Sequence, residues 1–186
     1  MIFWGVVAAV LFYGVNIYNH LVRIKHNVSK AWSNIDVLLK QRHDEIPKLV
    51  ETCKQYMTFE KETLEKVMQA RNAVSSARQS GNVGKLGAAE GMLRMGLGNL
   101  FAVAEAYPEL KANENFQHLQ GRISGLESAI SDRREFYNES VNINNTRIEQ
   151  FPDIIVARML NFEPRDLLEF EQNEIVDVDL SKLFNN

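Results

Sequence analysis

The sequence predicts an all-α protein in which an N-terminal transmembrane helix precedes an antiparallel bundle of three long helices and one short helix. Three observations predict it. The first 22 residues are almost entirely apolar, apolar residues then recur at alternating steps of three and four, and only four prolines interrupt 186 residues. Steps of three and four mark one face of a helix. We therefore assign residues 1–22 to a membrane anchor, 23–162 to a helical bundle and 163–186 to an acidic C-terminal tail.

Composition restricts the partners of this chain. The 21 Lys and Arg and 24 Asp and Glu give a formal net charge of −3, so no basic footprint for nucleic acid is present. Seven acidic and two basic residues make the tail strongly acidic.

The single cysteine, Cys53, excludes an internal disulfide. Its place on an apolar helix face favours a small buried side chain over a nucleophile, for which no histidine partner can be placed.

The segment 2–22 contains no Asp, Glu, Lys or Arg. As a helix it is about 30 Å long, which matches the hydrocarbon core of a bilayer. Polar residues from Asn16 onward place the exit near Tyr18 and leave about 17 apolar residues, the lower limit for a span. The residues that we assign to the membrane anchor are Phe3, Trp4, Leu11, Phe12 and Tyr18.

Two other interpretations of this segment are weaker. A cleaved signal peptide needs basic residues before its apolar stretch, whereas Arg23, Lys25 and Lys30 follow it here. A buried core helix is apolar on one face, but this segment is apolar all round. Positive charges after the span predict a single-pass protein of a cell membrane, with its N-terminus outside and its bundle in the cytoplasm. The same three residues would lie near anionic lipid headgroups.

An apolar seam runs along the first long helix, which we expect to reach about residue 80. The seam contains Trp32 and Arg42 and keeps its phase across Pro47. We interpret Pro47 as a kink in a continuous helix that loses the bond to the His43 carbonyl. The alternative is a new helix capped by Asp44. Arg42 either extends its guanidinium to solvent or pairs with a carboxylate of a neighbouring helix and fixes the register.

Two more long helices and a short one follow. Residues 80–84, "SGNVG", predict a turn. The glycine-rich helix after it either approaches a neighbour closely or is mobile, and we favour mobility. Pro108 ends that helix, an asparagine of "KANENF" caps the next one, and the seam of this third helix includes Arg133 and Tyr137. Pro152 opens the short helix, and "EIVDVDL" in the tail alternates like a strand that is too short for a sheet.

No residue set for catalysis, a cofactor or a metal emerges from the sequence. His43, Asp44 and Glu45 are consecutive, so they point in different directions on a helix. Neither H-E-x-x-H nor a phosphate-binding glycine motif is present. Because no acid, base and nucleophile can be assigned together, we predict a protein without enzyme activity, cofactor or metal site.

Four stretches resemble the LemA family of bacterial membrane proteins. They are "NHLVRIKHNV", "AWSNIDVLLKQRHDEIPKLVE", "VAEAYPELKANENF" and "YNESVNINNTRIEQFP", in that order. Family-like positions are Trp32, Asp36, Arg42, Pro47, Tyr107, Pro108, Lys111, Asn113, Tyr137, Asn138 and Pro152. Ile143 departs from the family, which usually has a tyrosine there. The resemblance implies an N-terminal anchor, an N-out topology, a cytoplasmic antiparallel bundle and no established catalytic activity, and one branch resembles a component of magnetosome membranes.

Two functions fit these expectations. The first is a membrane-anchored scaffold that self-assembles into a homo-oligomer through its coiled-coil-like bundle and organises the bacterial membrane. The second is an adaptor that recruits a protein partner, such as a membrane protease, through the bundle or the acidic tail. In either case we expect the bundle register to depend on Trp32, Asp36, Arg42, Pro47, Tyr107, Pro108, Arg133 and Tyr137.

Overall fold

The computed structural model describes residues 1–169, which form six helices and no strand. The helices are α1 (Ile2–Lys54), α2 (Lys61–Ser80), α3 (Val83–Ala104), α4 (Pro108–Lys111), α5 (Glu114–Glu149) and α6 (Asp153–Met159). The all-α prediction is confirmed for this part of the chain. Residues 170–186 are outside the described residues, and the strand-like pattern of "EIVDVDL" lies among them.

The longest helices, α1 and α5, form an antiparallel pair. The ring of Trp32 lies 5.4 Å from that of Tyr137. Beyond the C-terminal end of α1, the hydroxyl of Tyr56 accepts a hydrogen bond at 3.0 Å from Asn113, the residue that caps α5. Contact positions on α5 therefore move backwards as α1 advances. An asparagine of "KANENF" caps this helix, as predicted.

The second pair, α2 and α3, is a helical hairpin that packs on α1 and completes a four-helix bundle. Gly81 ends α2 in the left-handed conformation at φ 67°, which favours glycine. The Asn82 side chain then accepts a hydrogen bond from the Lys85 N–H at 2.8 Å and caps α3. The turn predicted from "SGNVG" is therefore confirmed.

One continuous apolar core joins α1, α2, α3 and α5. Its most deeply buried side chains include Ile35, Leu39, Ile46, Leu49, Val67, Leu86, Leu93, Leu100, Phe116, Ile123 and Val141. Each large aliphatic side chain buried in this way contributes about 1.5–3 kcal/mol of transfer free energy. Cys53 is also buried in this core, as its position on the seam predicted.

The first predicted helix ends earlier than expected. We expected one helix to about residue 80, which is wrong because α1 ends at Lys54 and α2 begins at Lys61. The connection, residues 55–60, contains neither glycine nor proline, so no local signal marks it. Its Met57 is buried in the core. Folding back lets the apolar face of α2 contact α1 and α3, whereas a straight continuation would leave that face in water.

Pro47 lies inside α1, and the helix continues through it. The continuous-helix interpretation is confirmed, and Asp44 does not begin a new helix. Because proline has no N–H, the His43 carbonyl one turn earlier lacks its intrahelical donor. Nε of Arg71 in α2 donates to that carbonyl at 2.8 Å. The proline thus exposes an acceptor at which α2 docks on α1.

One glycine of α3, Gly87, allows the close approach of a neighbouring segment, whereas Gly96 has an ordinary van der Waals separation from its neighbour. A Cβ at Gly87 would lie 1.9 Å from the carbonyl oxygen of Glu169, and a Cβ at Gly96 would lie 3.5 Å from the Val67 side chain. The backbone of Glu169 therefore crosses α3 where only glycine fits.

The chain after α6 returns across α5 in an extended segment, residues 163–169, which we name the strap. Asn145 binds the main chain of Arg165 through both of its amide atoms, each at 2.9 Å. Asn138, two helical turns away, binds the main chain of Leu168 in the same way, at 2.8 and 3.1 Å. The Leu168 side chain enters the core, and the Glu169 carbonyl lies against Gly87 of α3, so the strap connects α5 with α3.

Candidate functional site

A charged layer crosses the core where α1, α3 and α5 meet, and we define it as Arg42, Glu90, Glu127 and Arg94. Nη2 of Arg42 lies 2.5 Å from both carboxylate oxygens of Glu90, and Nη1 lies 2.5 Å from Oε1 of Glu127. Nε of Arg94 lies 3.7 Å from the other oxygen of Glu127. One guanidinium thus connects three helices.

The centre of this layer is deeply buried, whereas Arg94 at its edge is 41% exposed. The Arg42 side chain is 1% exposed, that of Glu90 3% and that of Glu127 21%. Burial, the largest influence, lowers the pKa of Arg42, but the charges and hydrogen bonds of Glu90 and Glu127 raise it above its ordinary value. Burial raises the pKa of Glu90, and Arg42 opposes that shift. The guanidinium keeps its proton throughout. Of the two placements considered for Arg42, the structure shows the buried one.

The sequence contains a signal for both carboxylates that our prediction missed. Glu90 comes four residues after Leu86 and three before Leu93, so it lies on the buried face of α3. Glu127 stands in the same relation to two buried isoleucines of α5. A charged residue at a core position of each helix requires a partner, and Arg42 on the seam of α1 is the matching charge.

A second set of ion pairs lies one turn further along α1. The buried carboxylate of Glu45 lies 3.2 Å from Nε of Arg122 on α5 and 3.3 Å from Nζ of Lys48. Closer to the N-terminus, Asp36 accepts a hydrogen bond from Arg78 of α2 at 3.1 Å. Asp36, which we predicted to affect the register, therefore joins α1 to the α2–α3 hairpin.

Four further residues that we predicted to affect the bundle register lie in two separate parts of the bundle. Trp32 is half-buried against Tyr137, whose hydroxyl donates to the carbonyl of Asp166 in the strap at 3.0 Å. Burial raises the pKa of that tyrosine. Tyr107 and Pro108 lie far from this contact, at the start of α4, where Pro108 takes the first helical position. Their part in setting the register remains a prediction.

The placement of Arg133 on the seam of α5 is wrong. Arg133 is exposed, and the neighbouring Arg134 is the half-buried residue. The buried face of α5 passes from Ile130 to Tyr137. Position 134, four residues after the first and three before the second, lies closer to that face than position 133 does.

The predicted anchor residues lie on the exposed N-terminal part of α1, and α1 is the one described helix that is long and apolar enough to cross a membrane. The exposed residues include Phe3, Trp4, Leu11, Phe12 and Tyr18. Arg23, Lys25 and Lys30 are also exposed. Packing begins inside the predicted anchor, because Ile17 and Leu21 are buried against α5 and α6.

No catalytic or metal-binding arrangement is evident in residues 1–169, which contain no group of three or more His, Cys, Asp or Glu residues able to hold a metal. Burial raises the pKa of the Cys53 thiol to about 12, so it is a poor nucleophile. Burial and the Arg71 charge lower the pKa of His43. The chemistry that the charged layer supports is selective pairing between helices, with each carboxylate held by arginine.

The sequence match to known proteins extends over most of the chain. A model of the LemA family matches residues 31–180, which include the charged layer, Pro47 and the strap. The chain belongs to the LemA family. It is 30% identical to Protein LemA of Metamycoplasma hominis, over 90% of this chain and 75% of that protein.

Two magnetosome proteins also resemble this LemA family chain. It is 25% identical to Magnetosome protein MamQ of Magnetospirillum gryphiswaldense and 23% identical to Magnetosome protein MamQ 1 of Paramagnetospirillum magneticum. Each match covers 78% of this chain but only 62% of the relative. The magnetosome proteins are therefore considerably longer than the part that this chain matches.

Proposed function

We propose that this LemA family protein is a membrane-anchored scaffold without enzyme activity, which self-assembles through its bundle and organises the bilayer around it. The observation that carries the proposal is α1, a single helix of 53 residues that begins with exposed apolar side chains and ends in the core of the bundle. A helix of this length measures about 80 Å. The span and the bundle therefore share one rigid element.

The orientation that we propose places the N-terminus outside the cell and the bundle in the cytoplasm. Arg23, Lys25 and Lys30 follow the apolar segment on exposed positions of α1. Cytoplasmic flanks of membrane spans carry such an excess of positive charge. Protease treatment of intact cells and of inverted vesicles tests this orientation: the bundle should be cleaved only in inverted vesicles.

Features on the outer face of the α2–α3 hairpin support self-assembly. Met92 and Met95 are exposed beside a groove of about 400 Å³ between the two helices. Glycines recur every seven residues at Gly84, Gly91 and Gly98, and a Cβ at the last two would meet nothing within 4 Å. The single chain does not need these glycines, and their open surroundings leave room for a second copy to approach α3, which supports the proposal.

Extraction of membranes tests the anchoring. The full chain should remain in the membrane pellet after washing with alkaline carbonate and should dissolve only in detergent. A chain without residues 2–16 should appear in the supernatant. Release of the full chain by carbonate would contradict the proposed span, because carbonate removes proteins that are held at the surface by charge alone.

The strap favours a second candidate function, that of an adaptor. Asn138 and Asn145 bind the main chain of an extended segment and thus do not depend on its side chains, which is how proteins hold extended peptides of varied sequence. Deleting residues 170–186 distinguishes the candidates while sparing the strap. An adaptor that recruits through its acidic tail would lose its partner, whereas a scaffold would keep its assembled mass.

A further inference from the structure

We propose that α6 is a second membrane-contacting element, which lies in the interface of the bilayer beside the exit of the α1 span. The inference rests on the membrane anchoring in the proposed function and adds a surface that the proposed function does not use. The partner is a lipid surface, in which apolar side chains reach the acyl chains and basic side chains lie among the headgroups.

The position of α6 along α1 is fixed by packing. Ile17 and Leu21 of α1 form a small buried cluster with Ile148 of α5 and Ala157 of α6. The ring of Phe162, just after α6, packs edge to face against Tyr18 at 6.2 Å. The short helix is thus held at the level where the predicted span ends.

The length of α1 before its first buried residue determines how deep α6 lies in the membrane. Residues 2–16 precede the first buried side chain, and 15 helical residues measure about 22 Å. The hydrocarbon core of a bilayer is about 30 Å thick. Because this segment is shorter than the core, a span that crosses the core brings Ile17, and with it α6, at least as deep as the hydrocarbon boundary. A helix at this depth contacts lipid on any side that the protein leaves open.

The open side of α6 is apolar. Ile155 and Met159, one turn apart on α6, are 52% and 75% exposed, and Phe151 before the helix is 82% exposed. The opposite side carries the buried Ala157 and Asp153. Asp153 lies 2.8 Å from Nε of Arg147, and this pair joins α6 to the end of α5. The helix therefore has one face for the bundle and one apolar face directed away from it.

Basic side chains occur on α6 itself and on α1 just beyond its contact with α6. Arg158 is in the last turn of α6, and Arg23 and Lys25 follow Leu21 on α1. Exposed acidic residues, Glu149 and Glu163, lie before and after α6 in the chain. Each basic side chain near an anionic leaflet contributes favourably to membrane contact. A short apolar face with arginine beside it is typical of helices that lie in the membrane interface.

Fluorescence quenching by lipids tests the proposal on the full chain. An environment-sensitive probe is attached to Ile155→Cys or Met159→Cys in a Cys53→Ala background, and the protein is reconstituted in phosphatidylcholine–phosphatidylglycerol vesicles. Val10→Cys in the span is the positive control, and Ser76→Cys on the exposed side of α2 is the negative control. We expect a blue-shifted emission at both α6 positions, with a loss of intensity comparable to that at Val10→Cys when the lipid acyl chains carry a nitroxide.

Three results would overturn the inference. Emission like that of Ser76→Cys, with quenching intact at Val10→Cys, would place α6 in water while the anchor stands. A blue shift without quenching would show that protein, such as a second copy, covers α6 instead of lipid. Absence of quenching at Val10→Cys would remove the anchor itself, and the second membrane contact would fail with it.

Discussion

Arg42 places a buried positive charge in the core of the bundle and pairs it with carboxylates of two other helices. Its guanidinium is almost fully removed from water, and two carboxylates from two other helices bind its Nη1 and Nη2 atoms. Taking these charges out of water costs several kcal/mol per ion before their attraction offsets it. Such a layer adds little stability over apolar packing. It does penalise every other axial position of α3 and α5, because each would leave a buried charge alone.

The Arg42→Met substitution tests this explanation. It leaves Glu90 buried without a counter-ion, so we expect the free energy of unfolding to fall by about 3–5 kcal/mol. Urea unfolding followed by circular dichroism, on the full chain in detergent, measures it. Lys66→Met, which removes an exposed partner of the exposed Glu62, is the control and should leave the value almost unchanged.

The double variant Arg42→Met/Glu90→Met tests whether the unpaired carboxylate of Glu90 causes this loss of stability. With both buried charges removed, most of the lost free energy of unfolding should return, because apolar side chains of similar volume replace the pair. If the double variant is as unstable as Arg42→Met alone, the uncompensated carboxylate is not the cause of the loss.

Cys53 gives a prediction that depends on pH. Burial raises the pKa of its thiol to about 12 from an ordinary value of 9.0. Between these values the unfolded chain loses the proton and the folded chain keeps it, so the folded state binds more protons and stability falls as pH rises from about 9 to 12. At pH 8 a thiol reagent should modify Ser76→Cys quickly and Cys53 only after urea is added. Modification of folded Cys53 at the rate of the control would contradict its burial.

At the scale of the helices, Pro47 and Arg71 act as a pair. The proline frees the His43 carbonyl, and Arg71 of α2 donates to it. We expect Arg71→Ala to cost about 1.5–3 kcal/mol in the native sequence. The cost should shrink in a Pro47→Ala background, because the alanine N–H then satisfies the same carbonyl. Urea unfolding of the four proteins in the cycle measures the difference.

The control for this cycle is Arg78→Ala, which breaks the contact of α2 with Asp36. Its cost should be the same in both backgrounds, since that contact does not involve the freed carbonyl. Equal costs of Arg71→Ala with and without Pro47 would show that the arginine stabilises the bundle in some other way.

The glycines of α3 give opposite predictions at neighbouring positions. Gly91→Ala and Gly98→Ala should each raise the free energy of unfolding by up to about 1 kcal/mol, because the added Cβ meets nothing and alanine favours the helix. Both should weaken self-assembly, measured as the mass of the extracted complex. Gly87→Ala should instead destabilise the fold, since its Cβ would collide with the Glu169 carbonyl. Stable variants with unchanged mass would exclude this face from the assembly.

The helices were predictable where local chemistry determines them. The seam of α1 identified its buried face, and the Gly81 turn and the Asn113 cap follow from local backbone preferences. The end of α1 was not predictable, because residues 55–60 contain no helix-breaking residue and the chain folds back there to bury α2. We assigned Arg133 to the buried face of α5 incorrectly, because several candidate core positions of this helix are polar and the apolar pattern is ambiguous there.

On the scale of the whole molecule, the sequence predicted Arg42 as a potential buried charge but not its partners. Glu90 and Glu127 come from helices whose mutual alignment is set only by the complete bundle. The strap was also missed, since asparagines that bind main chain carry no apolar pattern. The exposed apolar segment of α1 was the clearest long-range signal, because 15 residues without charge, 13 of them exposed, have no stable place in water.

The mass of the complex extracted from membranes tests the scaffold account most directly. Membranes that contain the full chain at cellular concentration are dissolved in a mild detergent, and sedimentation velocity gives the mass of the protein component. We predict a complex of several copies of the 21.3 kDa chain, which persists when residues 170–186 are removed. A single copy under the same conditions would contradict the account.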